Sequence, residues 1–231
     1  MVINPGRLTK LLISVLAWSV AYGGISTFTV AFLKVHTGMS EGRILLISSM
    51  AFIGGVSSLA LMAHRFDRVG SKPVLGAACV GWLLVLTGWV LLAGGAFPAS
   101  LTIVLVLTFF MGLLAALANM ANNRLAMAIV PAMGRNHFFA IFSVVTNVSL
   151  GLAPIAWGVL IDAASPYAPN WLGLQWNHYT VFFALAAAAF AVTFLLVRRL
   201  DEPKAASLEA LLREILIQSP QKFWLRFWPR G

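Results

Sequence analysis

The 51 residues between Lys72 and Arg124 carry no formal charge, and four more uncharged apolar runs flank them: Leu11 to Leu33, Ile44 to Ala63, Phe138 to Ile161 and Tyr179 to Val197. A hydrocarbon core about 30 Å thick is crossed by roughly 20 apolar residues of helix. Each flanking run reaches that length, and the central stretch makes two crossings when broken at Gly94-Gly95-Ala96-Phe97-Pro98. Inside lipid every backbone polar group must be satisfied within its own helix or within a closed barrel, and unbroken apolar character excludes the alternation that a barrel strand requires. The sequence therefore predicts an all-α membrane protein with six transmembrane helices, over about residues 8–33, 43–64, 73–94, 100–130, 137–162 and 178–198. Composition agrees: 60% of the chain is hydrophobic and 10% charged, which excludes a water-soluble core.

A net charge of +9 would point to nucleic acid or an acidic partner in a soluble protein. Here its placement reports topology, and no nucleic-acid partner is expected. Arg7 and Lys10 precede the first span, Arg65, Arg68 and Lys72 lie between the second and third, Arg135 lies between the fourth and fifth, and Arg198, Arg199 and Lys204 follow the sixth. The alternate loops carry only Lys34 and Arg43, so the positive-inside bias predicts that both termini are cytoplasmic in a multi-pass protein of the cell (inner) membrane. The first run, with 23 uncharged residues, is longer than the apolar stretch of a secretory signal and lacks a small-residue cleavage site before a soluble domain. Cys79, the only cysteine, falls inside the third span, so no intrachain disulfide is possible.

Tyr167, Trp171, Trp176 and Tyr179 bracket the entry of the sixth span and read as interfacial anchors, with sugar stacking as the alternative. Residues 1–200 form the bundle and residues 201–231 a separate cytoplasmic tail. Asp201-Glu202-Pro203 ends the sixth helix, Leu208, Leu211, Leu212, Ile215 and Leu216 then recur at helical spacing, and Lys222, Arg226 and Arg230 follow beside Phe223, Trp224, Phe227 and Trp228. This basic-aromatic amphipathic pattern suits a lipid headgroup layer; a docking site for another protein is the alternative.

Between spans two and three, Ala63-His64-Arg65-Phe66-Asp67-Arg68-Val69-Gly70-Ser71-Lys72-Pro73 resembles the G-x-x-x-D-R-x-G-R-[KR] signature of the major facilitator superfamily. Asp67, Arg68, Gly70 and Lys72 match; Ala63 and Ser71 depart, as in the weaker copy that such proteins carry in their C-terminal half. Asn122-Asn123-Arg124 through Val130-Pro131, then Gly134-Arg135, and Leu150 to Gly158 look like that family's fourth and fifth helices of a half. The resemblance covers residues 1 to about 200 and implies half of a major facilitator-type fold. Such transporters pair two six-helix halves, so it also implies a second half: a separate chain, an upstream segment or a second copy.

From the resemblance and the charges, Asp67, Arg68, Gly70, Lys72 and Arg124 are expected to form a latch on one cytoplasmic state. Gly70 relieves the backbone in a tight turn, and an ionised Asp67 would be stabilised beside the N-terminus of the fifth helix. The same basic residues serve equally as plain topology signals. Polar groups facing a bundle interior tend to mark a pathway, which makes Trp18, Tyr22, Ser26, Asn119, Asn123, Ser143 and Asn147 the candidate substrate cavity, together with Thr29 and Gly151. Interhelical hydrogen bonding accounts for the asparagines as well, and close helix packing for Ser48, Ser49, Ser57 and Ser58 around Gly54-Gly55. Glu41, Asp67 and Asp162 lie at helix ends, so no carboxylate within these spans can carry a coupling ion. His36, His64, His137 and His178 are scattered over both ends, which argues against a metal site or a Ser/His pair. No cofactor is expected, and an intramembrane enzyme is disfavoured. The expected function is transport of a small solute, of unread identity, by alternating access as one half of a secondary transporter; a self-contained six-helix scaffold or membrane enzyme is the alternative.

Overall fold

The computed structural model describes residues 5–62, 70–129, 135–164 and 170–200. Its helices are α1 (Pro5–Gly23), α2 (Ile25–Ala31), α3 (Glu41–Met62), α4 (Ser71–Ala93), α5 (Leu101–Ile129), α6 (Arg135–Ala164) and α7 (His178–Arg198), with a π-helical turn over Phe32–His36 after α2. A small hairpin, β1 (Asn170–Trp171) and β2 (Leu174–Gln175), precedes α7. Six spans result, because α1, α2 and the π-helical turn together form the first, from Leu8 to His36. The basic-aromatic tail, Asp67, Arg68 and Tyr167 lie outside the described residues.

The bundle packs as an open series of neighbours: α3 on α5, α5 on α4, α4 on α7, and α1 against both α7 and α6. Without a hydrophobic drive between helices in lipid, close backbone approach and side-chain fit hold such pairs. The α3–α5 pair is built on glycine. A Cβ at Gly112 would fall on the backbone of Ala51, and one at Gly54 on the carbonyl of Phe109, so only hydrogen fits at either crossing point. The α4–α7 pair is built on rings. Trp82 stacks on Phe190 at 5.0 Å and Trp89 on Phe183 at 5.3 Å, all four of them fully buried.

That second pair is also tied at both ends. Lys72 Nζ donates to the carbonyl of Leu200 at 2.6 Å, placing a cation at the C-terminal end of α7, where the helix dipole favours it. At the other end, Asn177 Oδ1 accepts from the backbone N–H groups of Tyr179 and Thr180 while its Nδ2 donates to the carbonyl of Ala93 at 2.8 Å. One amide thus caps the start of α7 and meets an orphan carbonyl at the end of α4. The chain leaves α4 through the glycine break that the sequence marks. Gly95, at φ 77°, follows the helix, with Gly95 N–H on Leu92 and Ala96 N–H on Leu91, the paired bonds of a Schellman stop.

The first span is interrupted near its middle. α1 ends at Gly23, Gly24 lies between the two helices, and α2 resumes at Ile25. α6 backs onto this point: a Cβ on Gly24 would lie 2.6 Å from Trp157 Cδ1, and one on Gly23 2.6 Å from Ala153 Cβ and 3.1 Å from the Leu150 carbonyl oxygen. Pro154 inside α6 removes the N–H that would otherwise meet that Leu150 carbonyl. Trp157 Nε1–H donates to the carbonyl of Val20 at 2.8 Å, just before the break.

Candidate functional site

Gly70 caps the start of α4 at φ 88° and ψ 169°, a conformation nearly closed to residues with a Cβ, so the signature turn needs glycine there. Ser71 and Pro73 follow, buried, in the first turn of α4. Lys72 is engaged with Leu200, as described. Arg124, near the end of α5, is half-buried. The turn and the arginine lie at the same end of the bundle: Gly81 of α4 faces Leu114 of α5, and Gly88 faces Leu107, so the two helices run antiparallel and Arg124 lies towards the start of α4.

The same registers place the candidate cavity residues. Asn119 and Asn123 lie beyond Leu114, towards the Gly70 end, and both are exposed. α6 runs parallel to the first span, since Gly23 meets Leu150 and Ala153 while Gly158 meets Phe28, so Ser143 and Asn147 fall in that half of the bundle too. Ser143 and Asn147 are exposed, and Asn147 Nδ2 donates back to the Ser143 carbonyl at 2.8 Å, one turn earlier. Ser26 is exposed beyond the Gly24 break, on the opposite half, and Gly151 is open to its surroundings.

Trp18 and Tyr22 have another setting. Trp18 is 4% exposed, packed edge-on to Phe190 at 5.2 Å and stacked with Tyr22 at 6.0 Å, and Tyr22 meets Trp82 at 5.7 Å. The two rings join α1 to α4 and α7 inside the bundle. Tyr179 is likewise packed: it is buried against Phe32 at 5.5 Å and lies between the rings of His178 at 4.1 Å and His36 at 6.0 Å. Trp171 stays exposed on the hairpin, where its carbonyl accepts from Trp176 Nε1.

Polar atoms inside the bundle are mostly met by the helix's own carbonyls, as for Ser14, Ser58, Thr146, Ser149 and Thr193. Among the described residues, Ser19 Oγ, Thr29 Oγ1, Trp82 Nε1 and Thr108 Oγ1 are buried with no partner. Two of these lie on the first span, and one on each of α4 and α5. Among the described residues no three His, Cys, Asp or Glu side chains come together as metal ligands.

A sequence model described as Major Facilitator Superfamily matches residues 11–229. A comparison with curated proteins returns no match. Among solved structures, the chain is similar to a D-xylose-proton symporter, with a TM-score of 0.64 and 15% identity over 96% of this chain and 53% of that one. It is also similar to a peptide transporter crystallised with sulfate, with a TM-score of 0.66 and 15% identity over 95% of this chain and 44% of that one. The chain thus spans about half the length of the transporters whose fold it shares.

Proposed function

The chain belongs to the major facilitator superfamily, a family of membrane transporters, and from that premise we propose that it is one six-helix half of a secondary transporter that moves a small organic solute by alternating access. The observation that carries this reading is the length match: nearly the whole chain superposes on about half of each full transporter. Exposure supports it. α3 and α6 are the least covered of the spans, with Phe52, Val56, Ile155 and Val159 among their outward apolar residues, and they supply surface for a second half as well as for lipid. The second half is a separate chain, a second copy or a segment continuous with this one, and the coupling carboxylate belongs to it.

In this reading the Gly70 turn is cytoplasmic, and Asn119, Asn123, Ser143 and Asn147 face the cavity on the cytoplasmic side, with Ser26 beyond the middle of the membrane. Trp18 and Tyr22 set the position of α1 beside that cavity. Asp67, Arg68, Lys72 and Arg124 hold the cytoplasmic closed state through charge contacts that open as the halves rock, and Gly70 shapes the turn that presents them.

The test is cysteine cross-linking in native membranes, with Ile155→Cys or Phe52→Cys in a Cys79→Ala background. A cross-linked species containing a second six-span unit supports the reading. A chain that remains solitary and carries solute by itself in liposomes overturns it. Asp67→Asn, assayed by accessibility of Asn147→Cys to a water-soluble maleimide, is expected to raise labelling from the cytoplasmic side; unchanged labelling removes the latch.

A further inference from the structure

At the end of the bundle opposite the Gly70 turn, a cavity of about 650 Å³ opens between the end of the first span, the start of α3 and the end of α4. Its walls include Phe32, Met39, Leu92 and Phe97, and its charged and titratable side chains are Arg43 and His36. The cavity is open to its surroundings, and its lining is as polar as it is apolar. The π-helical turn over Phe32–His36 shapes one side, with the His36 ring stacked on Phe32 at 5.2 Å and Phe32 held edge-on by Trp89 at 6.1 Å. Such turns are uncommon and recur at functional sites.

Charge decides what the cavity favours. Glu41 is the nearest carboxylate to Arg43 in sequence, but it is bound to Lys34 at 2.9 Å, and residues two apart on a helix do not face each other. Among the described residues Arg43 forms no ion pair or hydrogen bond; it is exposed, so its guanidinium stands open to a ligand at the rim of a half-apolar cavity. Guanidinium meets a carboxylate or phosphate by paired, charge-assisted hydrogen bonds.

We propose that this cavity is a binding site for an organic anion, with Arg43 holding the carboxylate or phosphate, His36 flanking it, and the half-buried Met39 and Phe97 receiving the apolar body. It is separate from the polar positions of the proposed transport cavity. The ligand comes either from solution, as a small aromatic or aliphatic acid, or from the surrounding bilayer, as an anionic lipid headgroup.

The test uses the full chain in neutral detergent, titrated calorimetrically with benzoate and, as the uncharged isostere, with benzamide. Benzoate is expected to bind and benzamide to bind at least about tenfold more weakly, the loss of one charged hydrogen-bond partner. Arg43→Gln is expected to weaken benzoate by about the same factor, while Arg199→Gln, a charge removed at the other end of the bundle, leaves it unchanged. Phe97→Ala weakens benzoate without altering the charge and guards against a folding defect in the arginine variant, whose thermal midpoint is read alongside. Benzoate affinity that is equal in wild type and Arg43→Gln, equal for benzamide, or absent altogether overturns the proposal. In nanodiscs of phosphatidylglycerol alone, loss of the benzoate binding seen in phosphatidylcholine assigns the site to lipid headgroups, and retention assigns it to a soluble acid.

Discussion

Gly112 and Gly54 set how closely α3 and α5 approach, and each does so by the absence of one methyl group. A Cβ at either position meets backbone, which cannot swing aside as a side chain can. Gly112→Ala is therefore expected to force the helices apart and lower stability by about 1–3 kcal/mol, as overpacking does. Thermal unfolding in detergent reads this, with Gly151→Ala, which meets open space, as the control for the helix preference of alanine alone. Trp157 invites a finer cut. Trp157→Phe keeps a ring beside Gly24 but removes the hydrogen bond to Val20, so a loss of about 1 kcal/mol is expected. Larger losses in Trp157→Ala would measure the ring packing on Phe182 as well.

At the scale of the element, the sixth span, α7, depends on one residue at its start. Asn177→Ala removes the cap on Tyr179 and Thr180 together with the donor to Ala93, and should cost about 0.5–2 kcal/mol for the cap alone. Asn177→Ser restores only the cap, so the difference between the two variants, read from their thermal midpoints, isolates the tie to α4. The six helices themselves were legible in the sequence because charge-free runs of bilayer length leave few alternatives, and the stop at Gly94-Gly95 was marked by its composition. The break at Gly24 was not, since two glycines in an apolar run read equally as packing, and only Trp157, far away in sequence, makes the interruption visible. Trp18 and Tyr22 illustrate the same gap. Their spacing puts two polar-tipped rings on one helix face, which a cavity stripe would also show; the contacts to Trp82 and Phe190 that bury them belong to other helices. The hairpin before α7 was equally hidden, because its turn places Leu172 at φ 55°, where sequence preference expects asparagine or glycine.

For the whole molecule, the α4–α7 pair is expected to be the stiffest unit: two tryptophans lie on two phenylalanines, fastened by Lys72 at one end and Asn177 at the other. Relative motion within the chain is expected in the first span, at Gly23-Gly24, before it appears in that pair. Hydrogen exchange should accordingly show earlier loss of protection at Ala21–Ile25 than across Trp82–Trp89; equal rates would count against an internal hinge. The order of synthesis gives the same pair another significance. Before a ribosome has delivered α7 to the membrane, Trp82 and Trp89 lack Phe190 and Phe183 to lie on, and the carbonyl of Ala93 has no Asn177 amide to meet. Only α7 supplies both, so this bundle stays unsealed until that crossing is threaded. A chain ended at residue 169 should be a substrate for membrane proteolysis, with a half-life in pulse-chase well short of that of the complete bundle.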